Sequence, residues 1–250
     1  MAHLCVYNTG KLMAQASLWQ GIFSVCPDLR QHAPAVISFV GAGGKTTWIM
    51  NLAQEGRNMG KRVLIVTTTH MKLPTRWGIL TGHASDIARQ LENEGIAIAG
   101  IPSGQGKMTY IGDALFRQVY GLADFILIEA DGSKRMPLKT FGVHEPVIVP
   151  QSQCLVCVMG ISSLYQSAGE GCFRWQHVPV DRQTTLTPDI CSAVWKGCMD
   201  VLCQRYGKPV IPVINQCDTS MQKEQARYIL RRSDVSQGII SAFTVKEREP

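Results

Sequence analysis

Short runs rich in Val and Ile that alternate with helical stretches, a glycine-lysine-threonine loop directly after the first regular run, and polar clusters directly after several others predict an α/β fold. The expected architecture is P-loop NTPase-like, a mostly parallel sheet with helices on both faces. With 250 residues, 45% apolar and 18% charged, the chain can bury a substantial core, and its length suits one α/β domain or one with a small addition.

Residues 1–34 find no counterpart in the regular pattern and read as a lead-in segment of unassigned role. A helix is expected around Ala14 to Phe23, and Pro27 and Pro34 punctuate the approach to the first strand. A P-loop α/β nucleotide-binding domain is expected over 35–250. It opens with strand 36–40, passes through the glycine loop into a helix at 45–57, turns at Gly60 and continues as a buried strand at 62–66. Ser85 is the expected N-cap of the next helix, with Asp86 in its first turn, Ile87 and Leu91 on one face and Gly95 as its stop.

A strand from Ile96 to Ile101, a loop over 102–106, a helix from Asp113 to Tyr120 and an apolar strand at 125–128 follow. Leu155 to Met159 reads as a strand and 160–186 as an irregular insertion rich in Ser, Gly, Gln and Arg. Thr187, Pro188 and Asp189 supply a cap, a first-position proline and a first-turn acid to a helix that Gly207 closes. A strand at 210–214, a helix at 220–232 and a strand from Gly238 to Ala242 complete the pattern. Pro212 is expected at an edge or a bulge, because proline cannot donate to a ladder.

The loop Gly41-Ala42-Gly43-Gly44-Lys45-Thr46-Thr47 carries the chemistry of a phosphate site. Glycines let backbone N–H groups converge on an anion, the helix that follows directs its positive end at it, lysine adds charge, and a threonine hydroxyl can hold Mg²⁺. The spelling is a variant: where the full P-loop pattern has its first glycine, this chain has Phe39.

In an open α/β sheet, ligands collect at the carboxyl ends of the strands. Four polar clusters occupy such positions: the glycine loop, Thr67-Thr68-Thr69-His70 after strand 62–66, Glu129 to Lys134 after strand 125–128, and Asn215-Gln216-Cys217-Asp218 after strand 210–214. Their convergence on one edge is the expectation that carries most weight. Glu129 and Asp131 have the placement of a Walker B acid, holding the metal and orienting an attacking water, with Thr46 completing the metal set. The alternative leaves Asp131-Gly132 as a turn and Glu129 as a solvated strand end.

The threonines are candidates for phosphate or substrate contact and are equally good β residues. His144 is a candidate acid or base, and Lys134 and Lys139 are candidates for an anionic substrate, with surface lysine as the simpler reading. Asn215 and Asp218 match two of the three specified positions of an N-K-x-D guanine-recognition element in which Gln216 stands for the lysine, so ATP and GTP both stay open.

The net charge of +6 is dispersed and not interleaved with aromatics, which argues against nucleic acid and for small anionic ligands. No apolar run approaches the roughly 20 residues of a membrane span, and a cytoplasmic protein with reduced thiols is expected despite nine cysteines. Cys154 and Cys157 form a CxxC inside an apolar run, where residues three apart point to opposite faces and read as buried packing.

Together Val40 to Thr47, Val66 to His70, Phe125 to Lys134, Pro137 to Lys139 and His144 to Val147 resemble the YqeC family, accessory proteins of selenium-dependent molybdenum hydroxylases. The resemblance runs from about residue 35 to 240. It implies a nucleotide-binding protein, with Gly41, Gly43, Gly44, Lys45, Thr46 and Thr47 at the phosphates, Glu129 and Asp131 at Mg²⁺, and His144-Glu145 in a motif of unassigned role. The expected function is NTP-dependent assistance to selenium cofactor maturation, with a molybdenum hydroxylase client or a cofactor precursor as partner. The alternatives are a small-molecule kinase acting on a cofactor precursor and a non-catalytic nucleotide switch.

Overall fold

The structure is a computed structural model that describes residues 3–243. The outer limits of the two expected segments, residues 1–2 and 244–250, lie outside the described residues.

The expected helix at Ala14 to Phe23 is displaced. β1 (His3–Asn8) and β2 (Lys11–Gln15) form an antiparallel hairpin, and α1 (Leu18–Val25) begins only after Ser17, whose hydroxyl accepts from the Gln20 amide. The reason is burial: Leu4 and Val6 enter the core on one face of β1 and Tyr7 on the other, a period of two that a helix cannot provide. Trp19 ties α1 to the next helix, donating from Nε1 to the Leu52 carbonyl at 3.0 Å.

β3 (Ala35–Gly41) is buried along its whole length and runs into α2 (Lys45–Asn58). β4 (Val63–Thr67), β5 (Met71–Lys72), β6 (Gly78–Ile79), α3 (Ala84–Glu94) and β7 (Ile96–Ala99) follow. Ser85 lies inside α3, whose N-cap is His83, while Gly95 ends the helix in the left-handed conformation. The strand expected over Ile96 to Ile101 stops at Ala99. β8 (Ile101–Gly104) and β9 (Lys107–Thr109) form a hairpin where a loop was expected, and they join β5 in a separate three-stranded sheet. Gly104 and Gly106, both at positive φ, make that tight turn possible.

The chain continues through α4 (Asp113–Val119), β10 (Phe125–Glu129), β11 (Leu138–Lys139) and β12 (Cys154–Gly160). The 160–186 insertion contains α5 (Ala168–Gly171) and β13 (Cys172–Phe173), and β13 pairs in parallel with β11. α6 (Pro188–Tyr206) starts at the Thr187 cap and ends at left-handed Gly207, as its sequence signals require. β14 (Val210–Asn215), α7 (Ser220–Arg232) and β15 (Gln237–Ala242) close the fold.

The main sheet has ten strands in the order β2-β1-β15-β14-β12-β3-β10-β4-β7-β6. All neighbours from β15 to β6 are parallel, and the two antiparallel pairings, β1 with β15 and β1 with β2, lie at one edge. Pro212 is therefore in an interior strand and not at an edge. The ladder between β14 and β15 begins at Val213↔Ile239, so the missing donor falls just before it.

Helices cover both faces. Trp19 and Ile22 of α1, with Trp48, Ile49 and Leu52 of α2, pack with Ile37 and Phe39 of β3. Residues from α6 and α7 pack over Val40, Leu155 and Ile214, and residues from α3 and α4 over Val36, Leu64 and Ile126, on the opposite face. Cys154 joins the first core and Cys157 the second, as the strand geometry of the CxxC requires.

Candidate functional site

The strands whose carboxyl ends carry the four polar clusters are β14, β3, β10 and β4, which with β12 occupy five consecutive places in the sheet. The clusters therefore do meet at one edge.

Phe39 is fully buried in β3 and pairs with both Glu129 and Val156, which explains the missing first glycine. The backbone is still sheet at that point, and the turn begins at Gly41. Gly41, Gly43 and Gly44 have φ of 91°, 78° and 114°. A Cβ on Gly43 would lie 2.0 Å from the Gly160 amide nitrogen, so this glycine is required by packing as well as by conformation.

The loop amides divide into two sets. Gly41 N donates to Asp131 Oδ2 at 3.0 Å, Ala42 N to the Val158 carbonyl at 2.8 Å and Gly43 N to the Met136 carbonyl at 3.3 Å. The amides of Gly44, Lys45, Thr46 and Thr47 have no hydrogen-bond partner among the described residues. These are the orphan donors at the start of α2, where the helix dipole is positive. Asn215 braces them from the side: its Nδ2 donates to the Gly43 carbonyl at 2.9 Å, and its Oδ1 accepts from the Ser241 hydroxyl at 2.9 Å. Ser241 in turn accepts from Trp48 Nε1 at 3.0 Å. A small cleft lined by Gly44, Thr47, Asn215, Gln216 and Phe243 opens beside the loop.

Across the loop, Thr46 Oγ1 donates to Glu129 Oε2 at 2.8 Å. Burial pushes the Glu129 carboxyl above its ordinary range, with the Lys45 charge and the Thr46 hydrogen bond opposing that shift. Asp131 is fully buried; its Oδ1 lies 3.1 Å from Lys45 Nζ yet receives no hydrogen bond. A threonine hydroxyl, a carboxylate bonded to it and a second buried carboxylate with an orphaned oxygen fit a divalent cation of the magnesium kind, whose remaining positions water and phosphate oxygens can fill.

Lys139, 2% exposed, joins the site from β11: Nζ lies 2.9 Å from Asp131 Oδ2, and it donates to the Gly132 carbonyl at 2.7 Å and to Glu145 Oε2 at 3.0 Å. Glu145 is held in turn by both arms of Arg174, at 2.6 and 3.1 Å. Lys139 is thus an internal ion-pair residue and not a free surface cation, which removes it as a direct ligand for an anionic substrate. His144 is exposed and makes no hydrogen bond with a described residue, whereas its neighbour Glu145 belongs to the network. Asp218 is exposed on the loop after Asn215. Thr67 Oγ1 donates to the Glu129 carbonyl and Thr68 Oγ1 to the Val147 carbonyl, so both serve the strand ends.

Sequence reading missed Ser241, Arg174 and the ion-pair role of Lys139. Ser241 had a faint signal, a polar residue at the end of a strand, while Arg174 lies in an insertion without pattern. The family model described as YqeC protein matches residues 37–176, a span holding the glycine loop, both acids, Glu145 and Arg174. The chain belongs to the YqeC family. It is 39% identical over 173 residues to the uncharacterized protein YqeC of Escherichia coli (strain K12), an alignment covering 64% of this chain and 64% of that protein. The chain thus spans less than two thirds of the length of the YqeC relative it matches.

Among solved structures, the MinC:MinD cell division protein complex of Aquifex aeolicus superposes with a TM-score of 0.45 at 14% identity, covering 82% of this chain and 78% of that chain. The 54 kDa signal recognition particle protein of Aeropyrum pernix K1, in complex with GDP, gives 0.45 at 12% identity, covering 91% of this chain and 46% of that chain.

Proposed function

We propose that this YqeC-family chain binds ATP or GTP with Mg²⁺ at the loop between β3 and α2, and uses binding or hydrolysis to assist selenium cofactor maturation for a molybdenum hydroxylase in the cytoplasm. The observation that carries the nucleotide reading is the set of amides from Gly44 to Thr47, unpaired among the described residues, at the N-terminus of the helix that Lys45 begins. The pathway assignment is supported by the family resemblance alone.

On this reading the four amides and Lys45 bind phosphate oxygens, and Asn215 keeps the loop open for them. Thr46, Glu129 and Asp131 hold the metal, directly or through water. Magnesium bound with the nucleotide neutralises phosphate charge. Glu129, already hydrogen-bonded to Thr46, orients water beside the terminal phosphate, and the nucleoside extends past the loop on the side of the small cleft beside Gly44 and Asn215.

A melting-temperature screen against ATP, GTP and their diphosphates with Mg²⁺ tests this. Ligand at 100 times its Kd adds about 2.7 kcal/mol of stability, and Lys45→Ala is expected to abolish the gain. An unchanged shift in Lys45→Ala would refute the site. The switch reading is favoured by one observation, the ion-pair chain that joins Lys45 through Asp131, Lys139 and Glu145 to Arg174 in the 160–186 insertion. Turnover with and without a client separates it from hydrolysis-driven assistance.

A further inference from the structure

Asp131 faces two lysines, one at each carboxylate oxygen. Lys45 Nζ lies 3.1 Å from Oδ1 outside hydrogen-bonding geometry, and it donates instead to the Gly41 carbonyl at 2.6 Å. Lys139 sits against Oδ2, the oxygen that also accepts from Gly41 N. Lys139 donates to the Gly132 carbonyl and to Glu145 Oε2, two fixed acceptors that hold its Nζ 2.9 Å from Asp131 Oδ2. The rings of Phe141 and Phe173, 5.3 and 5.6 Å from its Nζ, enclose it further.

We infer that Lys139 is a positioning residue for nucleotide binding: it is the fixed counter-charge of Asp131, and it frees Lys45 to leave that carboxylate for a phosphate. This rests on the nucleotide reading above. Asp131 is an internal anion that competes with an incoming phosphate for Lys45. A buried carboxylate stripped of its only cation is strongly disfavoured, so an Asp131 served by Lys45 alone would retain it. With Gly41 N donating to Oδ2 and the Lys139 charge held 2.9 Å from it, the carboxylate stays compensated when Lys45 departs, and Oδ1, which accepts no hydrogen bond, loses none.

The test measures binding of fluorescent GDP and ADP in EDTA, which removes any contribution of Asp131 through a metal. Lys139→Met is expected to weaken binding roughly tenfold or more. Adding Asp131→Asn to it restores most of the loss, because an asparagine oxygen still accepts from Gly41 N but no longer holds Lys45. Lys139→Arg, which keeps the charge, is expected to bind within ~3-fold of wild type.

A double variant as weak as Lys139→Met overturns the inference, since a neutral Asp131→Asn has no charge left to hold Lys45. If Lys139→Met does not fold, a crystal structure of the wild-type complex with Mg-GDP or Mg-ADP decides. Lys139 Nζ is expected to remain on Asp131 Oδ2 with Lys45 on a phosphate; Lys45 retained on Asp131, or Lys139 displaced, overturns it. Wild-type protein that binds neither diphosphate refutes the nucleotide reading itself and this inference with it, whereas binding without the exchange refutes the inference alone.

Discussion

Asn215 at the end of β14 donates a hydrogen bond to the carbonyl of Gly43 at 2.9 Å, locking a loop to a side chain that the sequence places 172 residues away. Both atoms are buried, and the other end of the amide is used by Ser241. Asn215→Ala leaves the Gly43 carbonyl and the Ser241 hydroxyl without this partner. The expected cost is about 1–3 kcal/mol in denaturant unfolding, together with a smaller nucleotide-induced melting shift than wild type.

Glu129 gives a pH prediction. Burial raises its carboxyl above the ordinary value, so the fold favours the protonated form. Its contribution to stability is fully present below the unfolded value and is lost as pH rises through the folded one. Glu129→Gln keeps an acceptor for Thr46 and carries no charge. The ligand-free variant is expected to melt higher than wild type, by a margin that grows from pH 5 to pH 8, while Mg-nucleotide stabilises it less. A melting curve series across that range checks both signs.

Gly43 and Gly60 form a matched pair for the loop geometry. Both have positive φ, but a Cβ on Gly43 would meet Gly160 backbone and one on Gly60 would meet nothing within 4 Å. Gly60→Ala is expected to cost about 1 kcal/mol. Gly43→Ala adds a backbone collision and is expected to cost about 3 kcal/mol or more, with loss of nucleotide binding, as read by urea unfolding and titration.

Trp19 tests whether the first 34 residues belong to the same cooperative unit as the rest. Its indole stacks on Phe125 with ring centroids 3.9 Å apart and caps the Leu52 carbonyl. Trp19→Ala is expected to destabilise the whole protein by about 3–5 kcal/mol in a single transition. Two separate transitions would show an independent lead-in segment.

Much of the fold was legible because its signals are local. Thr187-Pro188 and Gly207 bracket α6 where a cap, a proline and a left-handed glycine are expected, and the apolar runs of β3, β4, β10 and β14 lie within a residue of their predicted bounds at most ends. The hairpin at the start of the chain was not legible, because β1 makes sense only against β15, a partner that no local pattern names. The same holds in the site. The loop, Glu129 and Asp131 were visible as polar residues after strands, whereas Lys139 looks like a surface lysine until Asp131 and Glu145 are placed on either side of it.

The pairing of β1 with β15 makes this sheet edge a long-range closure. His3 lies opposite Ala242, and Asn8 opposite Gln237. β1 can pair with β2 as soon as both are made, but its other edge waits for β15, far along the chain. Closure of this edge is expected to come late in folding, and a chain truncated before Gln237 would keep the β1–β2 hairpin with one edge unpaired and open to association.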